Sequence, residues 1–196
     1  MAAPAVRGRD GRTVTYSNLG PKQLRQVFPL REHREVPKVP NLVVERYAVI
    51  DETRERIYDV LAAAESWPAW DPTITRIEAH GSLHEGNAFA MREARFLVRA
   101  RVLDADRPRL IRWRGVGPGG VIEVHSFRMV SLDSHHTLVV ERAEFKKWFL
   151  RLFAWATDLR LGAKFDQTLE ALRKTSKSGW HWNHPMLNHA PETRLR

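Results

Sequence analysis

The chain contains no cysteine. That absence excludes disulfide frameworks, thiolate nucleophiles, Cys-ligated zinc and iron–sulfur clusters, and it leaves a reducing compartment unopposed. Long apolar runs are missing too. The N-terminus, MAAPAVRGRDGR, has no stretch of signal-peptide character, and no segment approaches the ~20 apolar residues of a membrane span. The sequence therefore predicts a cytoplasmic protein. It also lacks a glycine-rich phosphate loop, a dinucleotide-binding fingerprint, a G-x-S-x-G elbow and an H-E-x-x-H pair. Gly115–Gly120 is glycine-rich, yet it lies between strand-like segments and reads as a hairpin turn.

Acidic residues fall short of basic ones, which gives a net charge of +9. The location of the excess matters more than its size. Residues 1–40 hold 8 Lys/Arg against 3 acids, residues 41–175 hold 21 against 19, and residues 176–196 hold 3 against 1. The centre is nearly neutral and the excess sits in the ends, which argues against nucleic acid as a partner. Basic ends of this kind are either simply solvated or weakly attracted to anionic surfaces. With 196 residues, 43% hydrophobic and 28% charged, the chain has the composition of one globular domain with tails.

Residues 1–40 are interrupted by Pro4, Pro21, Pro29, Pro37 and Pro40 and by Gly8, Gly11 and Gly20, which predicts a basic extended arm. Leu24, Val27, Phe28 and Leu30 could form one helical turn within it. From residue 41 to 175 the character is that of a folded domain, and residues 176–196 form an irregular tail. Leu42–Ile50 is rich in β-branched residues and predicts a strand. Asp51 or Thr53 then caps a helix that carries Ile57, Val60 and Leu61 on one face and ends near Glu65. The segment Ser66-Trp67-Pro68-Ala69-Trp70-Asp71-Pro72 suits a short helix or turn packed on the core.

Strand-length runs follow at Thr73–Ala79, Asn87–Arg92, Arg95–Leu103, Arg109–Val116, Val121–Leu132 and Thr137–Phe145. The breaks at 81–86, 104–108, 117–120 and 133–134 have turn chemistry, so the runs predict an antiparallel meander. Alternation puts Phe96, Val98, Ala100 and Val102 on one face against Arg99 and Arg101, and Ile111 and Trp113 against Arg112 and Arg114. Those arginines read as the outward face of a sheet. Lys147–Lys174 has no proline and one glycine, Gly162, and predicts a long helix with a bend at that glycine.

In this order the elements resemble the START/Bet v 1-like helix-grip fold, an α+β architecture in which a curved antiparallel sheet of about seven strands wraps a long C-terminal helix. The sequence of Val43–Lys174 is also similar to the polyketide cyclase/dehydrase and lipid-transport superfamily, SRPBCC. The similarity is carried by Ile57-Tyr58-Asp59-Val60-Leu61, Trp67-Pro68-Ala69-Trp70-Asp71-Pro72 and Asp106-Arg107-Pro108-Arg109-Leu110-Ile111-Arg112-Trp113. The Gly119-Gly120 turn, His125-Ser126-Phe127 and the closing Leu169-Glu170-Ala171-Leu172 add to it. The resemblance implies a cavity between sheet and helix for a lipid, polyketide or isoprenoid-like molecule. It covers carriers and catalysts alike, so binding or carriage of a hydrophobic small molecule and a cyclase/dehydratase-like enzyme both remain open.

Strand parity supplies the expected cavity wall: Phe89, Met91, Val98, Val102, Ile111, Trp113, Phe127 and Met129, joined by Trp70 and by Leu152, Trp155 and Leu159 of the long helix. The same residues would serve equally as an ordinary core. Glu123 and His125 share the face of Phe127 and are the candidates for acid–base chemistry, or for a plain hydrogen-bonded pair. No cofactor is expected. His181, His184 and His189 lie in an aperiodic tail without a rigid framework, so no metal is expected either. Trp148, Phe149, Leu150, Phe153 and Trp155, bordered by Lys146, Lys147 and Arg151, cover more of the helix than one sheet can bury. The arm or a homodimer partner could cover the surplus, or it could make weak contact with an anionic membrane.

Overall fold

β-Branched and aromatic residues alternate with charged ones between residues 42 and 146, and there the backbone forms one seven-stranded antiparallel sheet. The computed structural model describes residues 5–7, 13–15, 42–146 and 154–177, with side chains described for residues 42–146 and 160–177. Two short strands, β1 (Ala5–Arg7) and β2 (Thr13–Thr15), pair antiparallel. This corrects the expectation of an arm without regular elements, because β-branched Val6, Thr13, Val14 and Thr15 suffice for a three-residue ladder. The possible turn at Leu24–Leu30 and the tail from 178 lie outside the described residues.

The main sheet consists of β3 (Leu42–Ile50), β4 (Ile74–Glu78), β5 (Ala88–Glu93), β6 (Phe96–Asp106), β7 (Leu110–Val116), β8 (Ile122–Ser131) and β9 (Thr137–Lys146). Its order is β3-β9-β8-β7-β6-β5-β4: a meander from β4 to β9, with β3 added beside the last strand. Between β3 and β4 the chain forms α1 (Arg54–Ala62), a 3-10 turn at Ala64–Ser66 and α2 (Trp67–Trp70). The Thr53 hydroxyl accepts from the Arg56 amide and caps α1, which buries Ile57, Val60 and Leu61. α1 stops three residues before the expected end because the chain turns there into α2, and the Trp67 indole N–H donates to the Leu61 carbonyl at 2.9 Å across the turn.

The strand β6 runs past the expected turn to Asp106. A bulge between Val102 and Asp104 keeps the ladder going, and the Asp104 carboxylate accepts from the Arg112 guanidinium at 2.6 Å. Arg99, Arg101 and Arg114 are exposed, as sheet alternation requires. Phe96 departs from its expected place on the covered face and is 46% exposed, because it is the first residue after the β5–β6 turn, at the rim of the sheet.

The helix α3 (Ala154–Lys177) lies across the curved sheet and buries Phe165, Leu169 and Leu172. Its last described turn is anchored by the Ser176 hydroxyl, which donates to the Leu172 carbonyl. α3 continues unbroken through Gly162, where a Cβ would meet the flexible end of Arg46 from β3 and require that guanidinium to shift. Arg46 in turn lies 3.6 Å from the Asp166 carboxylate. Gly162→Ala should therefore gain little or lose stability in the parent chain, whereas in an Arg46→Ala background the same change should add about 1 kcal/mol of helix propensity. A double-mutant cycle by urea unfolding measures the difference, and additive effects would show that the two residues do not interact.

Candidate functional site

The inner face of the sheet carries a polar cluster on β8 and β9. On β8, Glu123, His125 and Phe127 alternate inward, and His125 is buried. Its Nδ1 lies 2.8 Å from Glu123 Oε1 and its Nε2 3.1 Å from Glu141 Oε1 on β9. Both ring nitrogens thus face carboxylate oxygens, the arrangement that suits a doubly protonated ring. The Trp113 ring stacks on the imidazole with centroids 4.5 Å apart and planes within 8°, and Phe127 and Phe165 close in at 5.3 and 5.2 Å. Lys164 of α3 approaches from the helix side and pairs with Glu93 at the end of β5, 2.6 Å away.

Each ionisable group is shifted for an identifiable reason. Burial opposes the charge on His125, but the bonds to Glu123 and Glu141 outweigh it and raise its pKa from 6.5 to about 9. Burial also opposes ionisation of Glu123, yet the bond from His125 and the charges of His125 and Lys164 hold it below the ordinary range. For Glu141 burial wins and raises the pKa to about 7, although His125 and Lys164 act against it. The Asp71 carboxylate adds to the rise at Glu141. Lys164 loses solvation as well, but Glu93 and Glu123 keep its pKa raised. One imidazole thus bonds two carboxylates whose pKa values are shifted in opposite directions, an arrangement that can serve acid–base chemistry.

A narrow cavity of about 20 Å³, room for roughly one water molecule, opens beside this cluster, lined by Trp70, Met91, Trp113, Phe127, His125, Glu141 and Lys164 among others. Its centre is little wider than a water molecule. Four buried polar atoms of lining residues find no hydrogen-bond partner among the described residues: Trp70 Nε1, Thr73 Oγ1, Trp113 Nε1 and Glu141 Oε2. Asp71 holds this wall in place: it accepts from the Thr73 amide at 2.9 Å and from the Thr168 hydroxyl of α3 at 3.1 Å, so the Trp-Pro-Ala-Trp-Asp-Pro segment is tied to the helix.

Of the residues that strand parity selects, Trp70, Met91, Trp113 and Phe127 line the cavity. Phe89, Val98, Val102, Ile111 and Met129 are buried in the surrounding core without lining it. Leu152 lies outside the described residues, as do the side chains of Trp155 and Leu159. Glu123 and His125 come together, and the structure adds Glu141, Lys164, Glu93 and Asp71, which sequence reasoning missed. A signal for three of them exists. Glu141 has the parity of Val139 and Ala143, Glu93 that of Phe89 and Met91, and Lys164 falls on the helical face of Leu161, Phe165 and Thr168.

Comparison with solved structures agrees with this architecture. A hypothetical protein from Helicobacter pylori superimposes with a TM-score of 0.65 at 16% identity, over 72% of this chain and 92% of that one. The Zhui aromatase/cyclase from Streptomyces sp. R1128 gives 0.58 at 16% identity, over 68% and 92%. A START superfamily protein from Mycobacterium smegmatis gives 0.59 at 15% identity, over 68% and 96%. At such identities the likeness is one of fold, and the helix-grip architecture is shared. No curated protein matches the chain. The family model described as polyketide cyclase / dehydrase and lipid transport matches residues 42–177, the whole of the sheet and its helix, and the chain belongs to that family.

Proposed function

We propose that the protein binds an apolar small molecule in the cavity under α3 and fixes an oxygen function of that molecule at Glu141. The observation that carries this reading is the set of orphaned polar atoms on an otherwise aromatic wall. A buried donor or acceptor left unpaired costs roughly 1–3 kcal/mol, so four of them on one cavity mark places for a ligand's polar groups. Two are indole N–H groups, which only donate, and they require acceptor oxygens. Trp70, Met91, Trp113 and Phe127 take the apolar part. The family description, which spans cyclases and lipid transport, supports a lipid, polyketide or isoprenoid-like ligand. A ligand of that size needs wall side chains to move aside, given the width of the cavity.

A second reading is favoured by the split carboxylates. With Glu123 ionised and Glu141 raised to about 7, Glu141 can give a proton to, or take one from, a bound carbonyl or hydroxyl, while Glu123 keeps His125 charged. Cyclisation and dehydration both need such a transfer.

Native mass spectrometry of protein isolated from its own source tests binding directly, and the expected result is a retained oxygen-bearing apolar ligand. Glu141→Ala should weaken retention at least tenfold, the value of a hydrogen bond to a charged group. Ligand-free protein that also fails to bind an apolar dye would sink the proposal. Turnover separates the two readings. Glu141→Gln and His125→Ala should abolish turnover of hydroxy-ketone or polyketide substrates with retention largely intact if the site is catalytic, whereas a carrier shows no turnover in the parent.

The cluster also fixes a pH dependence. A group whose pKa rises on folding favours the folded state below its unfolded value, and that contribution is lost as pH climbs through the folded value. Glu141, raised from 4.5 to about 7, and His125, raised from 6.5 to about 9, both behave in this way. Glu123, lowered, contributes in the opposite sense and loses its contribution as pH falls through its own depressed value. Melting temperature should therefore decline as pH rises from about 5 to above 9, and His125→Asn should flatten the alkaline part of the profile. An unchanged slope in the variant would remove His125 from the account.

A further inference from the structure

The sheet ends in an exposed apolar tip. Phe96 is 46% exposed, Leu97 36% and Val116 43%, the large apolar side chains most open to solvent among the described residues. The ladder places them together. The β5–β6 hairpin turns over Ala94 and Arg95, with Glu93 opposite Phe96 and Arg92 opposite Leu97; two residues further along, Arg99 lies opposite Val116 of β7. Leu97, Arg99 and Val116 share the outer face, and Phe96 stands on the other side of the same turn. An aromatic and two aliphatic side chains thus project from one rim of the sheet.

Their surroundings are cationic. Arg92, Arg95, Arg99 and Arg114 are all exposed, and none forms an ion pair among the described residues. The Arg95 guanidinium sits 5.2 Å from the centre of the Phe96 ring. The one carboxylate at the turn, Glu93, is engaged by Lys164. The other exposed arginines nearby find partners, Arg76 with Glu78 and Arg101 with the Gly86 carbonyl. Exposed apolar groups ringed by unneutralised arginines are costly for a face that meets only water, and they match a surface that is apolar beneath and negative above.

We propose that this rim, the β5–β6 hairpin with the adjoining end of β7, docks on anionic lipid membranes. Phe96 and Leu97 enter the boundary between headgroups and acyl chains, with Val116 beside them, and the four arginines meet lipid phosphates and carboxylates. Glu93 begins the turn and lines the cavity, so docking brings the cavity to the lipid surface. The proposal is independent of whether the cavity carries its ligand or transforms it.

Vesicle co-sedimentation of the full chain tests it, with phosphatidylcholine alone compared against phosphatidylcholine and phosphatidylserine mixed two to one. Binding is expected only to the anionic vesicles and should fall steeply with salt. Arg95→Glu combined with Arg99→Glu should reduce the partition coefficient at least about thirtyfold, the value of two basic side chains at such a surface. Phe96→Ser with Leu97→Ser should reduce it tenfold or more, while circular dichroism and melting stay at parent values because both side chains lie at the rim.

The absence of cysteine allows a site-specific readout. Leu97→Cys carrying an environment-sensitive fluorophore should shift to the blue and brighten on anionic vesicles. The proposal is overturned by parent protein that ignores anionic vesicles. It is equally overturned by rim variants that bind as tightly as the parent, which would assign any attraction to the basic ends of the chain. A label that responds instead to soluble polyanions, or to self-association at rising protein concentration, would also overturn it.

Discussion

An imidazole buried between two carboxylates beneath α3 constrains the elements around it. His125 can hold its proton in that place only because Glu123 and Glu141 approach its two nitrogens and Trp113 stacks on its face. A buried charge without partners costs several kcal/mol, and removing one partner leaves the rest uncompensated. The strands β8 and β9 must therefore keep their register, with Phe127 opposite Glu141, and α3 must stay where Lys164 meets Glu93. The polar cluster specifies the alignment of the helix and sheet, while the apolar core supplies most of the stability.

The same constraint shapes the cavity. Satisfying His125 uses one oxygen of Glu141 and leaves the other unpaired, facing a wall whose indole nitrogens are also unpaired. An optimised core would have filled this space with leucine or phenylalanine. In the proposed function, oxygen atoms of a bound ligand complete these hydrogen bonds. Asp71, tied to Thr168, holds the tryptophan-bearing segment over the opening, so the short helix α2 serves as part of the wall and not merely as a connection.

The scaffold carries two regions of opposite character. The interior gathers carboxylates, an imidazole and a lysine in a medium that strengthens each interaction, while the rim gathers arginines in water, where a single ion pair is worth little. One hairpin joins them. Glu93 pairs with Lys164, and Phe96, directly opposite Glu93 in the ladder, is open to solvent at the rim.

Much was legible from residue patterns alone. Strand number, turn positions and the Thr53 cap follow from β-branched alternation and local hydrogen bonding, which act over a few residues. The outward arginines and the inward pair Glu123 and His125 follow from parity. What the sequence could not supply is which inward residues meet. Glu141 lies sixteen positions from His125 and becomes its partner only through the β8–β9 register, and Lys164 reaches Glu93 only because α3 crosses the sheet where it does. The role of Gly162 was equally hidden. Its glycine suggested a bend, whereas the space is taken by Arg46 from the other end of the domain. Local chemistry dictates the elements, but long-range packing chooses the neighbours, and the candidate site is made entirely of neighbours.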